Sequence, residues 1–198
     1  MRKFSFSLMI VLMSVGIVFC AGIAGCTNTA PAQPATGQKL STIEPAKMAL
    51  QVSDLPANYT LTEEFERNTS SVREWALEKG WKKGYGVFFE TRGPDARGIE
   101  QSISVYPAEN ITLIVPDTVS LYKNWSVDDR NVTVEDLPSP GIGDASSALK
   151  VTFASEPVDY YIIAMVKYDV YEELSTNGTA SDYEVLKAVA GKAADKIK

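Results

Sequence analysis

Histidine is absent from the 198 residues, and cysteine occurs only twice. The chain therefore lacks the side chain that serves most often as general base and metal ligand. Cys20 lies inside an N-terminal apolar run and Cys26 directly follows it, so the rest of the chain has no thiol. These absences exclude zinc sites, the common nucleophile–histidine dyads and any disulfide framework after Cys26. We expect no catalytic residues, no cofactor, no metal site and no enzymatic activity.

Positive charge is also scarce, with 19 basic against 25 acidic residues and a net charge of −6. A negative field repels the phosphate backbone, so nucleic acid is excluded as a partner. It also repels anionic lipid head groups, and membrane contact is therefore expected from a lipid anchor and not from the domain surface.

The first 25 residues have the pattern of a secretory signal peptide. Arg2 and Lys3 precede an apolar run from Leu8 to Ala24, which is short for a membrane span. The segment from Ile23 to Cys26, "IAGC", resembles the lipobox of prokaryotic lipoproteins, which implies cleavage before Cys26 and lipidation of its sulfur. The alternative is an uncleaved N-terminal anchor helix.

Residues 26–42 follow as Cys26 and a stretch rich in Thr, Ala, Pro and Gln, "TNTAPAQPATGQKLST". The stretch has no apolar periodicity and almost no charge, which predicts a disordered tether. At its full extension it would reach about 50 Å from the anchor.

Six of the seven asparagines lie in the acceptor pattern for N-glycosylation, where chance placement would give about one. These predicted glycosylation sites are Asn58, Asn68, Asn110, Asn124, Asn131 and Asn177. A lipobox is prokaryotic, and dense acceptor sites are typical of archaeal surfaces. We therefore expect an archaeal protein, anchored by lipid on the extracellular face of the cell membrane; the alternative is a bacterial lipoprotein with accidental acceptor sites.

Residues 43–198 have the length and apolar content of a single extracellular domain. Helices are predicted at Ala46–Gln51, from a capping box of Ser71 and Glu74 to Gly80, at 117–126 after Pro116, and at the C-terminus behind a capping box of Ser181 and Glu184.

Strands are predicted at "YTLTEEFER", at a hairpin of "GYGVFFETRG" and "GIEQSISVYP", at "NVTVEDL", and through the segments "SALKVTF" and "DYYIIAMVKYDVYEEL". The last segment is apolar on both of its faces around Ile162 and Ile163, so it requires cover on both sides. The element order predicts an α+β fold, a central, mainly antiparallel sheet packed by helices that include a C-terminal amphipathic helix.

The stretch "GIGDASSALKV" from Gly141, with the tyrosine-rich segment and helix after it, resembles the end of uncharacterised archaeal, methanogen-like cell-surface lipoproteins. More distantly it is similar to PsbP/Mog1-like α/β/α sandwiches. The resemblance carries no catalytic residue, and it implies a binding or accessory role.

One candidate ligand contact is "WKKGYG", in which Trp81, Lys82, Lys83 and Tyr85 place two cations between aromatics. It lies in the interval 71–109, which is free of acceptor sites, and it could bind an envelope glycan or protein partner by stacking and lysine contacts. The alternative is that Trp81 and Tyr85 are core residues and that the lysines are solvated.

The paired acids Glu63-Glu64, Asp128-Asp129 and Glu135-Asp136 lack calcium-loop spacing and are interpreted as solvated surface, and Gly141 and Gly143 as a turn. Three function classes follow. The first is a lipid-anchored, N-glycosylated surface protein with a binding, adhesive or structural role. The others are a surface hydrolase using a carboxylate pair and an accessory or sensory subunit of a membrane complex.

Overall fold

The computed structural model describes residues 40–93, 96–156, 158–178 and 182–198. The predicted leader, Cys26 and the tether as far as residue 39 lie outside this part of the chain. The described residues contain seven strands, β1 (Tyr59–Arg67), β2 (Lys83–Thr91), β3 (Arg97–Val105), β4 (Val132–Leu137), β5 (Ala145–Phe153), β6 (Asp159–Lys167) and β7 (Val170–Gly178). They also contain four α-helices, α1 (Pro45–Met48), α2 (Glu74–Glu78), α3 (Ile111–Asp128) and α4 (Tyr183–Lys196). Among these helices, none has the length and apolar content to cross a membrane.

Two antiparallel meanders meet in the middle of one sheet. The strand order is β1-β2-β3-β7-β6-β5-β4, and every neighbouring pair is antiparallel. The chain runs through β1 to β3, crosses to the far edge through α3, and returns strand by strand until β7 pairs with β3. The predicted α+β class, a single domain with an antiparallel sheet packed by helices, is confirmed.

Helices cover both faces of the sheet, because side chains alternate between the faces along each strand. α1 and α4 pack on face 1, and α2 and α3 pack on face 2. In β6, Ile163 and Met165 are buried in face 1, whereas Ile162, Ala164 and Val166 are buried in face 2. This strand therefore needs cover on both sides, as its sequence predicts.

The predicted strand segment "DYYIIAMVKYDVYEEL" is divided between β6 and β7. Tyr168 has a positive φ of 61°, and its N–H donates to the Asp144 carboxylate at 2.7 Å. Asp144 follows the predicted turn, in which Gly141 and Gly143 have φ of 68° and 69°. The turn is confirmed, and it holds the β6–β7 connection in place.

α4 covers face 1 with an apolar stripe, as its amphipathic pattern predicts, in which Leu186, Val189, Ala190, Ala193 and Ile197 are buried. The helix is capped by Asp182, whose Oδ1 accepts from the N–H groups of Glu184 at 2.9 Å and Val185 at 3.2 Å. The prediction that Ser181 caps the helix is wrong, because Asp182 takes that position. Ser181 itself lies outside the described residues. A carboxylate satisfies the free N–H groups as a hydroxyl would, and it also complements the helix dipole.

α3 begins six residues earlier than predicted, and Pro116 lies inside it. Proline within a helix removes a hydrogen-bond donor and crowds the preceding turn. The residues before it, Ile111, Ile114 and Val115, are at most 4% exposed and pack into face 2. Burial of these three side chains stabilises the helix by more than the proline destabilises it. The predicted start at Pro116 is therefore wrong.

α2 is shorter than predicted, and its capping box is absent. Ser71 instead exchanges hydrogen bonds with the backbone of Asn68, in a 3-10 turn at Thr69–Ser71. Arg73 precedes the helix and makes no side-chain cap. The predicted stop at Gly80 is confirmed, since this glycine has a φ of 83°.

An acidic side chain, Glu172 of β7, is fully buried in face 1. Its Oε2 accepts from Gln101 Nε2 at 3.2 Å, and Gln101 Oε1 accepts from the Leu50 N–H at 2.8 Å. Its Oε1 is buried without a hydrogen-bond partner in the described part of the chain. Burial raises the pKa of Glu172 to about 8, although the Gln101 hydrogen bond, Lys167 and Lys196 act against the rise. The fold therefore favours the neutral acid.

Stability is expected to fall as the pH rises through the range set by Glu172. Because its pKa is about 8 in the folded protein against 4.5 in the unfolded chain, the folded state binds the extra proton between these values. The resulting slope is at most about 1.4 kcal/mol per pH unit. Urea unfolding of Glu172→Gln should show a shallower slope and higher stability at pH 8. Glu135→Gln, on edge strand β4, should keep the wild-type slope; an unchanged slope in Glu172→Gln would contradict the assignment.

Candidate functional site

Face 2 of the sheet is only partly covered. α3 packs on β4, β5, β6 and β7, and α2 packs near the end of the sheet. Over β1, β2 and β3 this face is less covered, since Phe65, Phe88 and Glu100 keep part of their surface exposed. We call this area the open face; its side chains are Glu63, Phe65, Arg67, Phe88, Glu100, Ser102 and Ser104, with Glu173 at its border with α3.

Strand register arranges the open face in three rows that run across the sheet. From β1 through β2 and β3 to β7, the rows are Glu63-Phe88-Glu100-Ser175, Phe65-Gly86-Ser102-Glu173 and Arg67-Gly84-Ser104-Tyr171. Two acids thus stand on neighbouring strands as diagonal partners, Glu100 on β3 and Glu173 on β7. Diagonal partners lie within reach of each other's side chains.

The middle of the open face depends on Gly86 in β2. A Cβ on Gly86 would lie 2.7 Å from the Phe65 ring, so the missing side chain lets that ring lie across β2. The ring stacks on Phe88, with centroids 6.2 Å apart and an interplanar angle of 22°. Arg67 also crosses β2, and its Nη1 donates to Ser102 Oγ at 2.6 Å and Ser104 Oγ at 2.9 Å.

Both carboxylate oxygens of Glu173 are occupied. Oε1 accepts from the Tyr122 hydroxyl of α3 at 2.7 Å, and Oε2 accepts from the Tyr171 hydroxyl at 2.7 Å. Burial, followed by the nearby Glu173 charge, raises the pKa of both phenols well above the usual value of 10. The two tyrosines therefore stay protonated donors and fix Glu173 at the border of α3.

Glu100 differs from Glu173, because no hydrogen bond or ion pair reaches its carboxylate from the described residues. Burial, and then the charges of Glu173 and Glu63, raise the pKa of Glu100 to about 7, whereas Arg67 lowers it. The side chain nevertheless keeps some contact with solvent. Glu100 is thus a partly desolvated carboxylate with free hydrogen-bonding capacity on an accessible surface.

The four candidate contacts in "WKKGYG" do not form one surface. Trp81 lies on face 2, where its Nε1–H donates to Ser104 Oγ at 3.1 Å beside the open face. Tyr85 lies on face 1, where its hydroxyl donates to Glu64 at 3.1 Å. Lys83 forms an ion pair with Glu44 at 2.7 Å, and Lys82 is exposed. The structure therefore brings only Trp81 to the candidate site.

The predicted glycosylation sites are spread over the domain. Four asparagines are exposed, three of them in turns or loops and one in α3, namely Asn58, Asn68, Asn131 and Asn124. Asn177 is exposed in β7, although Thr179 of its acceptor pattern lies outside the described residues. Asn110 is half-buried, and its Nδ2 donates to the Lys79 carbonyl at 2.9 Å. The lipidation site, Cys26, also lies outside the described residues.

The paired acids predicted to be solvated are exposed. Asp128 and Asp129 end α3, and Glu135 and Asp136 lie on β4, where Asp136 pairs with Lys123 at 2.7 Å. Glu63 belongs to the open face, and Glu64 points to face 1. In the described ranges, no group of three or more acidic, histidine or cysteine side chains is arranged to hold a metal ion.

Sequence inspection missed Glu100, Glu173 and Arg67. The signal was present in the alternation of "GIEQSISV", where Glu100, Ser102 and Ser104 share one face, and in "VYEELS", where Tyr171 and Glu173 do. Alternation alone could not show that these two strands are neighbours, because Glu100 and Glu173 are far apart in the chain.

Comparison with known proteins identifies a shared fold and no family. No family model matches the chain, and no curated protein matches its sequence. The chain is similar in structure to the extracellular domain of PknH from Mycobacterium tuberculosis, with a TM-score of 0.61 and 11% sequence identity. The match covers 81% of this chain and 98% of that one. At this identity the likeness concerns the fold alone.

Gly86→Ala is expected to displace the Phe65 ring, because the new methyl group would lie 2.7 Å from it. The clash should lower the free energy of unfolding by about 1–3 kcal/mol. Urea unfolding measures the loss, and Gly191→Ala is the matched control, since a Cβ there meets nothing within 4 Å in α4. The control should be stabilising by about 1 kcal/mol.

A Phe65→Ala background isolates the cause. Without the ring, Gly86→Ala should lower the free energy of unfolding by much less than it does in the wild type. If the cost is the same in both backgrounds, Phe65 does not lie across β2 as described.

Proposed function

We propose that this protein is a lipid-anchored, N-glycosylated extracellular domain that captures a small ligand or an envelope component on its open face. The observation that carries the proposal is Glu100, a partly desolvated carboxylate without a donor from the described chain. Burying an acid without a partner is costly, and folded proteins usually satisfy such groups. A ligand that donates to Glu100 would supply the missing partner.

The location rests on the sequence. The signal peptide, the lipobox at Cys26 and six acceptor sites all indicate an exported, anchored chain, and their combination favours an archaeal surface. The structural neighbour is also described as an extracellular domain, and nearly its whole length is matched. This agreement supports the location.

The open face has the composition of a binding surface. Aromatic rings, a guanidinium, hydroxyls and a carboxylate occur together there, so apolar contact and directed hydrogen bonds are available within one area. The open face is also preorganised for binding. The sheet, together with the two tyrosines that donate to Glu173, holds its side chains in place without a ligand.

A surface hydrolase is the second candidate, and one observation favours it. With a pKa of about 7, Glu100 is partly protonated at neutral pH and could donate a proton to a leaving group, with Glu63 as the second carboxylate. Release of reducing sugar from envelope glycans that is lost in both Glu100→Gln and Glu63→Gln would establish it. Binding without turnover supports the capture role instead.

The anchoring part of the proposal predicts a specific mature chain. Protein purified from native membranes should begin at Cys26, carry lipid on that residue and carry glycans on several of the acceptor asparagines. Intact mass spectrometry before and after removal of glycans measures both. Cys26→Ser should abolish lipidation, whereas Cys20→Ser is the matched control and should not. An unmodified chain that retains Met1 contradicts the proposal.

Ligand capture is tested with the full chain exposed to envelope extract and examined by native mass spectrometry. The wild type should retain a bound species. Glu100→Arg should lose it, because the long cation fills the open face and removes the free acceptor. Glu66→Arg makes the same charge change on β1 but on face 1, and it should retain the species. Equal retention by both variants would place the ligand elsewhere.

A further inference from the structure

We propose that the ligand of the open face carries a protonated amine beside an apolar or aromatic group. The amine would bind the Glu100 carboxylate, and the apolar group would lie on the Phe65–Phe88 pair. The inference rests on the proposed function and names the chemical class of ligand for the same surface.

The first argument is charge. Glu63 on β1, Glu100 on β3 and Glu173 on β7 lie on the open face, and among the described residues Arg67 is the cation whose charge acts on Glu100. The guanidinium of Arg67 is held in place by its hydrogen bonds to Ser102 and Ser104. Two carboxylates against one guanidinium leave the charge around Glu100 negative, and a cationic ligand complements it.

The second argument is hydrogen-bonding capacity. Tyr122 of α3 and Tyr171 occupy both oxygens of Glu173, whereas Glu100 has no donor from the described residues. The Ser175 hydroxyl is next to Glu100 in the same row and can also accept. An ammonium group has three N–H donors and no acceptor, so it matches a surface that offers acceptors.

The third argument is the aromatic pair. Phe88 is the direct neighbour of Glu100 on β2, and Phe65 stacks on it at 6.2 Å. Both rings are half-buried, so part of their apolar surface remains for a ligand. Ca²⁺ takes about 6–8 oxygen ligands, and phenylalanine rings supply none. An organic ammonium needs fewer hydrogen bonds, and its apolar group can lie on the rings.

The test compares three probes of similar size that differ in charge: phenethylamine, 2-phenylethanol and 3-phenylpropionate. Isothermal titration of the full chain in detergent at pH 8 measures each affinity. Phenethylamine should bind at least about tenfold more tightly than the other two, the effect of one charge-assisted hydrogen bond.

Matched variants locate the site. Glu100→Gln should lose the preference for the amine, while Glu66→Gln, on face 1, should keep it. Phe88→Leu should weaken all three probes by a similar factor, because it removes the ring and leaves the charge. Circular dichroism of each variant confirms that the fold is retained.

Titration against pH gives an independent readout. Phenethylamine stays protonated from pH 6 to 8, while Glu100 ionises over this range. The affinity of the wild type for phenethylamine should rise about tenfold from pH 6 to pH 8. The affinity of Glu100→Gln should not change with pH. A flat profile in the wild type would mean that Glu100 is not the acceptor and would overturn the inference.

The outcomes separate this inference from the proposed function. A preference for the amine that depends on Glu100 supports both. If the alcohol or the carboxylate binds as well as the amine, or if Ca²⁺ displaces the amine, the inference is overturned. A neutral or anionic species retained by the wild type and lost in Glu100→Arg would leave the proposed function standing while overturning the inference. If no probe binds and no species is retained, both fail.

Discussion

The pairing of β3 with β7 is the contact on which the rest of the structure depends. It joins two meanders into one sheet and runs the full length of both strands, from Arg97 opposite Gly178 to Val105 opposite Val170. On face 1 this register brings Gln101 to Glu172, and on face 2 it places Glu100 near Glu173. Because side chains alternate with a period of two, a slip by one residue would exchange these faces. The core and the open face are therefore specified by the same ladder.

Glu172 and Glu173 are adjacent in the chain, yet their surroundings give the two carboxyl groups different roles. Glu172 enters a dry core, accepts one hydrogen bond from Gln101 and is held neutral by burial. Glu173 meets two tyrosine hydroxyls at the border of α3. One acid thus destabilises the core increasingly as the pH rises from 4.5 to about 8, and the other fixes the helix that limits the open face. Glu100 has neither an amide donor nor a tyrosine donor from the described residues. It is therefore the acid of the three that is left able to accept a hydrogen bond from a ligand.

Local patterns in the sequence predicted most of the elements, because periodicity and turn residues act over short distances. The β2–β3 hairpin, the strand at β1, the glycine turn before β5 and the stripe of α4 all follow from neighbouring residues. One error was itself local, because the backbone of Asn68 took the hydrogen bonds of Ser71 that α2 was expected to use. The start of α3 was instead decided by distant contacts, since burial of Ile114 and Val115 in face 2 extended the helix past Pro116. The open face could not be predicted for the same reason, since the neighbours of Glu100 come from β1, β2 and β7, which are distant from one another in the sequence.

The position of Glu100 relative to the start of the described chain also follows from β7. Near the start of the described chain, the Ser41 N–H donates to Asp169 at 2.6 Å, and the Thr42 N–H donates to the Lys198 carbonyl at 3.1 Å. Asp169 stands just before β7, whereas Ser175, the neighbour of Glu100, lies six residues further along. At about 3.4 Å per residue the two points are separated by about 20 Å along the strand. The carboxylate of Glu100 thus lies well away from the point where the described chain begins, because one strand carries Asp169, which contacts that start, and Ser175, which stands beside Glu100.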